Sequence, residues 1–179
     1  MSLERWPALR AIDTPRLLLE PLIEAHAAEL FAGLCAPELY AHLDETPPIS
    51  ATALAARYRF LEARRSPGGD EAWLNWALRE RASGALVGTV QATVRERESE
   101  IAYVLLRGAW GRGLASEAVA ALLALLHADF AAHEFVAHVD PRNARSVALL
   151  ERLGFARSGT RAASSPLQPE PDLVFRCTR

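Results

Sequence analysis

Lysine is missing altogether: all 20 basic residues are arginine, set against 22 acidic residues for a formal net charge of -2. Its absence excludes the phosphate-binding lysine of a P-loop and imine chemistry on a lysine amine. A nearly even charge balance also leaves no basic stripe of the kind that nucleic acid or an anionic membrane surface calls for. Cysteine is scarce. Cys35 and Cys177 stand far apart, so neither a CxxC metal knuckle nor a disulfide framework is expected, and a reducing cytoplasm is the expected compartment. No uncharged apolar run is long enough for a bilayer span, and the opening "MSLERWPALR" lacks the apolar stretch of a signal peptide. Histidine does not cluster either: His133 and His138 fall on opposite faces of one predicted strand, so no metal site is expected.

Half of the 179 residues are apolar, which is enough for one domain with an ordinary core. We read residues 1–13 as an N-terminal extension and 14–179 as that domain. "TPRLLLEPL" predicts a first strand, and "IEAHAAELFAGL" a helix with Ile23, Ala27, Leu30 and Leu34 on one face. "CAPELYAHLDETPPIS" is broken by prolines and reads as a loop; "ATALAARYRFLEARR" predicts a second helix, stopped by "SPGGD". Three strands follow, "AWLNWALRE", "ALVGTVQATV" and "EIAYVLL", with turns short enough to imply antiparallel pairing. In the first of these, Trp73 and Trp76 face opposite ways, as core and rim. "SEAVAALLALLHADF" puts Val119, Leu122, Leu123, Leu126 and Phe130 on one helical face. "EFVAHV" is a strand and "NARSVALLERL" a helix capped by Asn143 and stopped at Gly154; "FARSGT" and "DLVFRC" are closing strands around "RAASSPLQPEP". A strand–helix–strand unit among antiparallel hairpins gives an α/β class with a mixed, mostly antiparallel sheet flanked by helices.

The stretch "RGAWGRGLASEA" lies between the strand "EIAYVLL" and the long helix after it. The first amides of a helix have no internal partner, and the helix dipole places partial positive charge on them. Gly111 and Gly113 carry no side chain, so an anion can reach the amides of residues 111 to 116, with the charge of Arg112 nearby. A phosphate or diphosphate suits such a place. No GK[ST] follows, which rules out a P-loop. Ser116 stands where a dinucleotide fingerprint needs its third glycine, and no strand end supplies the ribose-binding acid.

Three segments together resemble a known family. "WGRGLASEA" is similar to the acyl-CoA motif Q/R-x-x-G-x-G/A of the GNAT N-acetyltransferases, with Trp110 at the Q/R position followed by Gly111, Arg112, Gly113, Leu114 and Ala115. Tryptophan there, "TPRLLLEPL" at the start and "NARSVALLERLGF" later all resemble the RimJ/RimL branch, which acetylates ribosomal-protein N-termini. The opening departs from that branch at Glu20, where arginine is common.

The resemblance implies the acyl-CoA N-acyltransferase fold, in which the strand before the loop and the strand after its helix splay apart. It implies acetyl-CoA as co-substrate, no metal, and an amine acceptor that is a peptide N-terminus or a small molecule; homodimers are frequent among such proteins. By analogy the amides of Gly111 to Ser116 hold the diphosphate, and Val104 and Leu106 pair with the pantetheine amides. The Leu105 amide is then a donor for the thioester oxygen. Asn143 is implied as a pantetheine contact as well as a cap. Ser146 is implied near the sulfur as proton donor to the leaving thiolate. Many relatives put a tyrosine in that role at the position of Leu150. Glu100 is implied as the general base acting through water, with Glu98 as its neighbour and competitor. Tyr40, His42, "DETPPIS" and "RAASSPLQPEP" are expected beside the acceptor. The rival functions are a small-molecule (antibiotic or polyamine) acetyltransferase and a non-catalytic acyl-CoA sensor.

Overall fold

Alternation along the strands decides how the sheet is laid down. In the computed structural model, which describes residues 6–43, 45–162 and 170–179, the elements run in chain order as follows. β1 (Ile12–Asp13), β2 (Leu17–Pro21), α1 (His26–Leu34) and α2 (Ala51–Leu61) come first, with a 3-10 turn at Pro37–Tyr40 between the helices. β3 (Ala72–Glu80), β4 (Leu86–Arg95) and β5 (Glu98–Leu105) form the central meander. A second 3-10 turn at Arg107–Ala109 leads to α3 (Leu114–Phe130), β6 (Glu134–Val139), α4 (Ala144–Arg152), β7 (Ala156–Arg161) and β8 (Asp172–Thr178).

One eight-stranded sheet has the order β1-β2-β3-β4-β5-β6-β8-β7. Every neighbour is antiparallel except β5 and β6, the two strands joined through α3. Because alternate residues point to opposite faces, the sheet carries two cores. Leu74, Trp76, Val90, Ile101 and Phe135 pack with Val119, Leu122, Leu123 and Leu126 of α3 and with Leu149 and Leu150 of α4. On the other face Ala77 and Val104 meet Ala27, Leu30, Leu34, Leu54 and Tyr58 of α1 and α2. All five residues expected on the core face of α3 are buried.

Of the segment read as an extension, residues 6–13 join the domain. Ile12 and Asp13 pair with Leu19 and Leu18, Trp6 and Leu9 pack on the core, and the Trp76 indole donates to the Arg10 carbonyl at 2.9 Å. Trp6, Leu9 and Ile12 have core surface to cover, which holds residues 6–13 to the domain. Trp76 is fully buried while Trp73 meets Phe60 edge-on at the rim.

β5 and β6 pair only over Glu98–Glu100 and Glu134–Val136. Beyond Glu100 they separate, and β6 is held by β8 along Glu134–Val139 instead. Gly88 on β4 faces the end of β5 across this region. A Cβ at Gly88 would lie 2.3 Å from the Val104 carbonyl oxygen and 2.9 Å from the Leu105 Cα, so only glycine allows that approach.

Candidate active site

The loop before α3 turns on two left-handed glycines, Gly111 at φ 71° and Gly113 at φ 74°. Gly113 is the N-cap of α3 and supplies no side chain, so the first turn of the helix has no side-chain cap. The loop is braced from behind by the start of the chain. Glu117 accepts from the Thr14 hydroxyl at 2.6 Å, the Arg16 amide at 2.8 Å and Arg16 Nε at 2.6 Å. Arg16 Nη1 also donates to the Arg112 carbonyl at 2.7 Å. Burial pushes the Glu117 carboxyl up, and these donors more than offset it, leaving its pKa lowered.

Arg112 needs a correction. Its guanidinium is committed to an ion pair with Glu80, a carboxylate held below its usual range by bonds from Ser83 and Arg112. Besides Arg16, the cations that reach the loop come from α4. Arg152 Nη1 donates to Ser116 Oγ at 3.3 Å, and Arg145 lies over the Trp110 ring, 5.2 Å from its centroid. Seven residues separate these two arginines, almost two helical turns, so they share one stripe of α4. That spacing was readable; the tertiary contact was not. Trp110 itself is half-buried, and its indole N–H donates to the Leu105 carbonyl at 2.7 Å, closing the loop on the end of β5.

The ladder corrects a second expectation. Leu106 N–H donates to the Val87 carbonyl at 2.8 Å, and the β4–β5 register is constant up to that point. Alternate residues of an antiparallel pair turn their main-chain groups toward the partner. Val104 and Leu106 therefore face β4, whereas Ile101, Tyr103 and Leu105 turn theirs toward the gap left by β6. The pairing edge is displaced by one residue from the one the resemblance implied, a shift that no side chain signals. The Leu105 amide lies on the gap side.

Asn143 caps α4: its Oδ1 accepts from the Ser146 amide at 3.1 Å. Asp140, almost wholly buried at the end of β6, accepts from the Arg142 amide at 2.8 Å and fixes the turn before it. The Tyr103 hydroxyl is buried without a hydrogen-bond partner, and Ser146 is the polar side chain that acts on it. Burial raises the Tyr103 phenol, with Ser146 partly offsetting the rise.

On the other face of the sheet a groove of about 540 Å³ opens between the segment after α1, helix α2 and the strands. Tyr40, Tyr58, Asn75, Gln91, Glu100 and His138 are among its walls. Burial pushes the Tyr58 phenol up to about 12. Glu100 stands 3.7 Å from His138 Nε2, 3.6 Å from Arg95 Nη1 and 3.9 Å from Arg161 Nη1. Burial and then Arg161 lower the His138 pKa, while Glu100 and Asp172 pull it the other way. Its Nδ1 is buried without a partner. His133, expected on the opposite face from His138, lies away from this groove and meets the His127 ring at 5.0 Å. Strand parity alone would have put His138 on a face, without saying that Glu100 lies opposite.

Glu98 points away to Arg176 at 2.9 Å. His42 also lines the groove, 3.6 Å from Asp140, as do Glu45 and Thr46 through Ile49; Asp44 lies outside the described residues. Of "RAASSPLQPEP", residues 163–169 lie outside them too, and Arg161 and Asp172 form the described ends of the groove there. Among the described residues no group of three or more His, Cys, Asp and Glu could hold a metal ion, and no helix is long and apolar enough to cross a membrane.

Comparison with known proteins places this geometry. The sequence model of the Acetyltransferase (GNAT) domain matches residues 16–156. Among solved structures, RimL, a ribosomal L7/L12 alpha-N-protein acetyltransferase in complex with coenzyme A, superposes with TM-score 0.83 at 17% identity, over 94% of this chain and 98% of that one. A GNAT-family acetyltransferase from Bacillus anthracis gives 0.78 at 18%, over 94% and 98%. A GCN5-related N-acetyltransferase from Brucella melitensis gives 0.77 at 20%, over 96% and 80%.

Proposed function

The chain belongs to the GNAT acetyltransferase family, and from that premise we propose that it transfers acetyl from acetyl-CoA to the α-amine of a peptide or protein by direct attack in a ternary complex. The observation that carries the reading is the free edge of β5 beyond Glu100, between the amides of α3 at one end and the groove at the other. The residues present fit acetyl-CoA: two left-handed glycines leave the first amides of α3 bare, and Arg152 reaches Ser116 beside them. The amides of Gly111 to Ser116, with Arg152 and Arg145, would hold the diphosphate. The gap-side groups of Ile101 and Tyr103 would take the pantetheine as an added strand, and Asn143 would contact it from α4. When bound, acetyl-CoA supplies the activated acyl group. The Leu105 amide would then stabilise charge on the carbonyl oxygen, a donor whose loss costs about 100 to 1000-fold in such reactions.

At the other end Glu100 and His138 offer two acceptors to an incoming ammonium, and one of them removes its proton, directly or through water. An α-amine has a pKa near 8 against about 10.4 for a lysine amine, so a modest base suffices for the first. The charges of the groove favour a monoamine over a polycation. Each of its four acidic groups already has an arginine partner, Glu45 with Arg57 at 3.5 Å, Asp172 with Arg161 at 3.4 Å, Glu100 with Arg95 at 3.6 Å and Asp140 with Arg142, so little negative charge is left for further cations. Aromatic and apolar walls, with Tyr40, Leu54 and Tyr58, suit the side chain that follows a peptide's first nitrogen. Membership of the RimJ/RimL branch, a homodimeric state and a cytoplasmic location belong to the same proposal.

Release of free thiol from acetyl-CoA, measured with peptides of varied N-termini, spermidine and an aminoglycoside, tests this. Turnover is expected with peptides and to be weaker by at least tenfold with the polyamines. Faster turnover of spermidine or the aminoglycoside would overturn the acceptor assignment. Binding of acetyl-CoA with no thiol release from any amine would make the protein a sensor.

A further inference from the structure

A thiolate leaving at neutral pH benefits from a proton, and α4 carries a single hydroxyl, that of Ser146. Leu150, where many relatives carry a tyrosine, is wholly buried. Positions 146 and 150 are one helical turn apart, so Ser146 and Leu150 share a stripe of α4. The structure brings a phenol to this stripe from the opposite strand. Tyr103 is on β5, in the stretch where β6 no longer pairs; its hydroxyl is buried without a hydrogen-bond partner, and Ser146 of α4 is the polar side chain that acts on it. A buried hydroxyl without a partner is costly to keep, and nothing in the packing of the strand demands it: phenylalanine would fill the same space.

We propose that the Tyr103 hydroxyl is the proton donor to the departing CoA sulfur, taking from β5 the part that a tyrosine on α4 plays elsewhere. The inference rests on the acetyl-transfer reading above and adds a residue to it. The neutral amine nitrogen forms its bond to the thioester carbonyl carbon. The carbon–sulfur bond breaks, and sulfur leaves with the electron pair and takes the phenolic proton. The proton still carried by the new amide nitrogen then returns to the phenolate through Ser146 or water, which restores Tyr103. The same burial that isolates the phenol keeps it protonated until sulfur needs the proton.

Tyr103→Phe removes one oxygen and no packing. With acetyl-CoA and a peptide that the unmodified protein acetylates, kcat is expected to fall by about 100-fold or more, the usual scale of general acid catalysis. The KM for acetyl-CoA and the melting temperature are expected to stay where they are. Ser146→Ala, which leaves the phenol in place, is expected to lose only a few-fold. A donor matters only when the leaving group is a poor one. With S-(4-nitrophenyl) thioacetate as acetyl donor, whose thiolate leaves without a proton, the kcat/KM deficit of Tyr103→Phe is expected to close to within a few-fold. Equal kcat for the unmodified protein and Tyr103→Phe would overturn the proposal. So would a deficit that persists undiminished with the aryl thioester, or a larger loss for Ser146→Ala than for Tyr103→Phe. No thiol release from the unmodified protein with any amine would instead overturn the acetyl-transfer reading, and this one with it.

Discussion

At the start of α3 the atoms proposed to hold the diphosphate are main-chain nitrogens from six consecutive residues, positioned by glycine conformation and braced by Thr14, Arg16 and Glu117. Across the sheet, the groove is walled by side chains drawn from positions as distant as Leu22 and Asp172. The first region is built from backbone, so few sequences can make it and its glycines announce it. The second is built from side chains that many sequences could supply, so it can be retuned without touching the fold. A shared cradle with a variable groove is the arrangement expected of a fold that keeps its donor and changes its acceptor.

The sharpest way to break that contrast is charge in the cradle. Gly113→Glu adds a carboxylate at the first turn of α3, beside the amides proposed to hold the diphosphate, with its Cβ 3.5 Å from Arg16 Nη2. Two like charges about 4 Å apart at a protein surface repel by about 4 kcal/mol, nearly three decades in affinity. Even with screening, calorimetry is expected to show acetyl-CoA binding weakened at least 100-fold. Gly113→Ala separates charge from conformation: at φ 74° it is expected to lower stability by about 1 to 2 kcal/mol while binding stays within a few-fold. Unimpaired binding by Gly113→Glu would move the donor site elsewhere and leave the two regions without their assigned parts.

A smaller effect tests which arginine serves the cradle. The guanidinium of Arg112 is held by Glu80, so Arg112→Ala is expected to change acetyl-CoA affinity by no more than about threefold. Arg152 touches Ser116 from α4; a hydrogen bond to a charged group contributes about 1.5 to 3 kcal/mol, so Arg152→Ala is expected to weaken binding about tenfold or more. Its salt dependence should be shallower too, because one phosphate contact fewer is screened. The reverse order of effects would restore Arg112 to the part its position in the motif implied.

These two arginines also mark where sequence reading stops. Nearly every element could be read from periodicity, because apolar residues at spacing two or at three and four record which face is covered. The strands Ala72–Glu80 and Glu134–Val139 and the Asn143 cap fell where they were expected. Motifs contiguous in sequence, such as the glycine loop, were equally plain. What escaped is whatever depends on partners distant in sequence. Glu80 neutralising Arg112, Arg152 crossing from α4, and His138 standing opposite Glu100 are relations between elements, with no periodic trace. The one-residue displacement of the pairing edge on β5 escaped for another reason: main-chain direction alternates with strand register, and register is set by β4. Tyr103 did leave a hint, a polar-tipped aromatic in the aliphatic run "AYVLL", but its hydroxyl could be interpreted only once α4 was in place.

The gentlest probe compares the two regions by acidification. In the groove, burial and then Arg161 hold the His138 imidazole below its usual pKa, against the opposing pull of Glu100 and Asp172, with Arg176 adding to the lowering. The unfolded chain binds a proton at this histidine near pH 6.5, whereas the folded protein resists it until lower pH, so stability is lost as pH falls from about 6.5. In the cradle the Glu117 carboxyl is lowered despite its burial, because Thr14 and Arg16 donate to it. Its contribution is complete above the unfolded carboxylate value of about 4.3 and is lost only as pH falls through the lower, folded one. The groove is therefore expected to feel acid first. Urea unfolding between pH 7 and pH 3 should show a shallow early decline that His138→Gln removes and a later, steeper one that Glu117→Gln reduces. Should His138→Gln lose stability between pH 7 and 5.5 as the unmodified protein does, the groove would not be holding a neutral imidazole, and Glu100 alone would have to receive the proton of the amine.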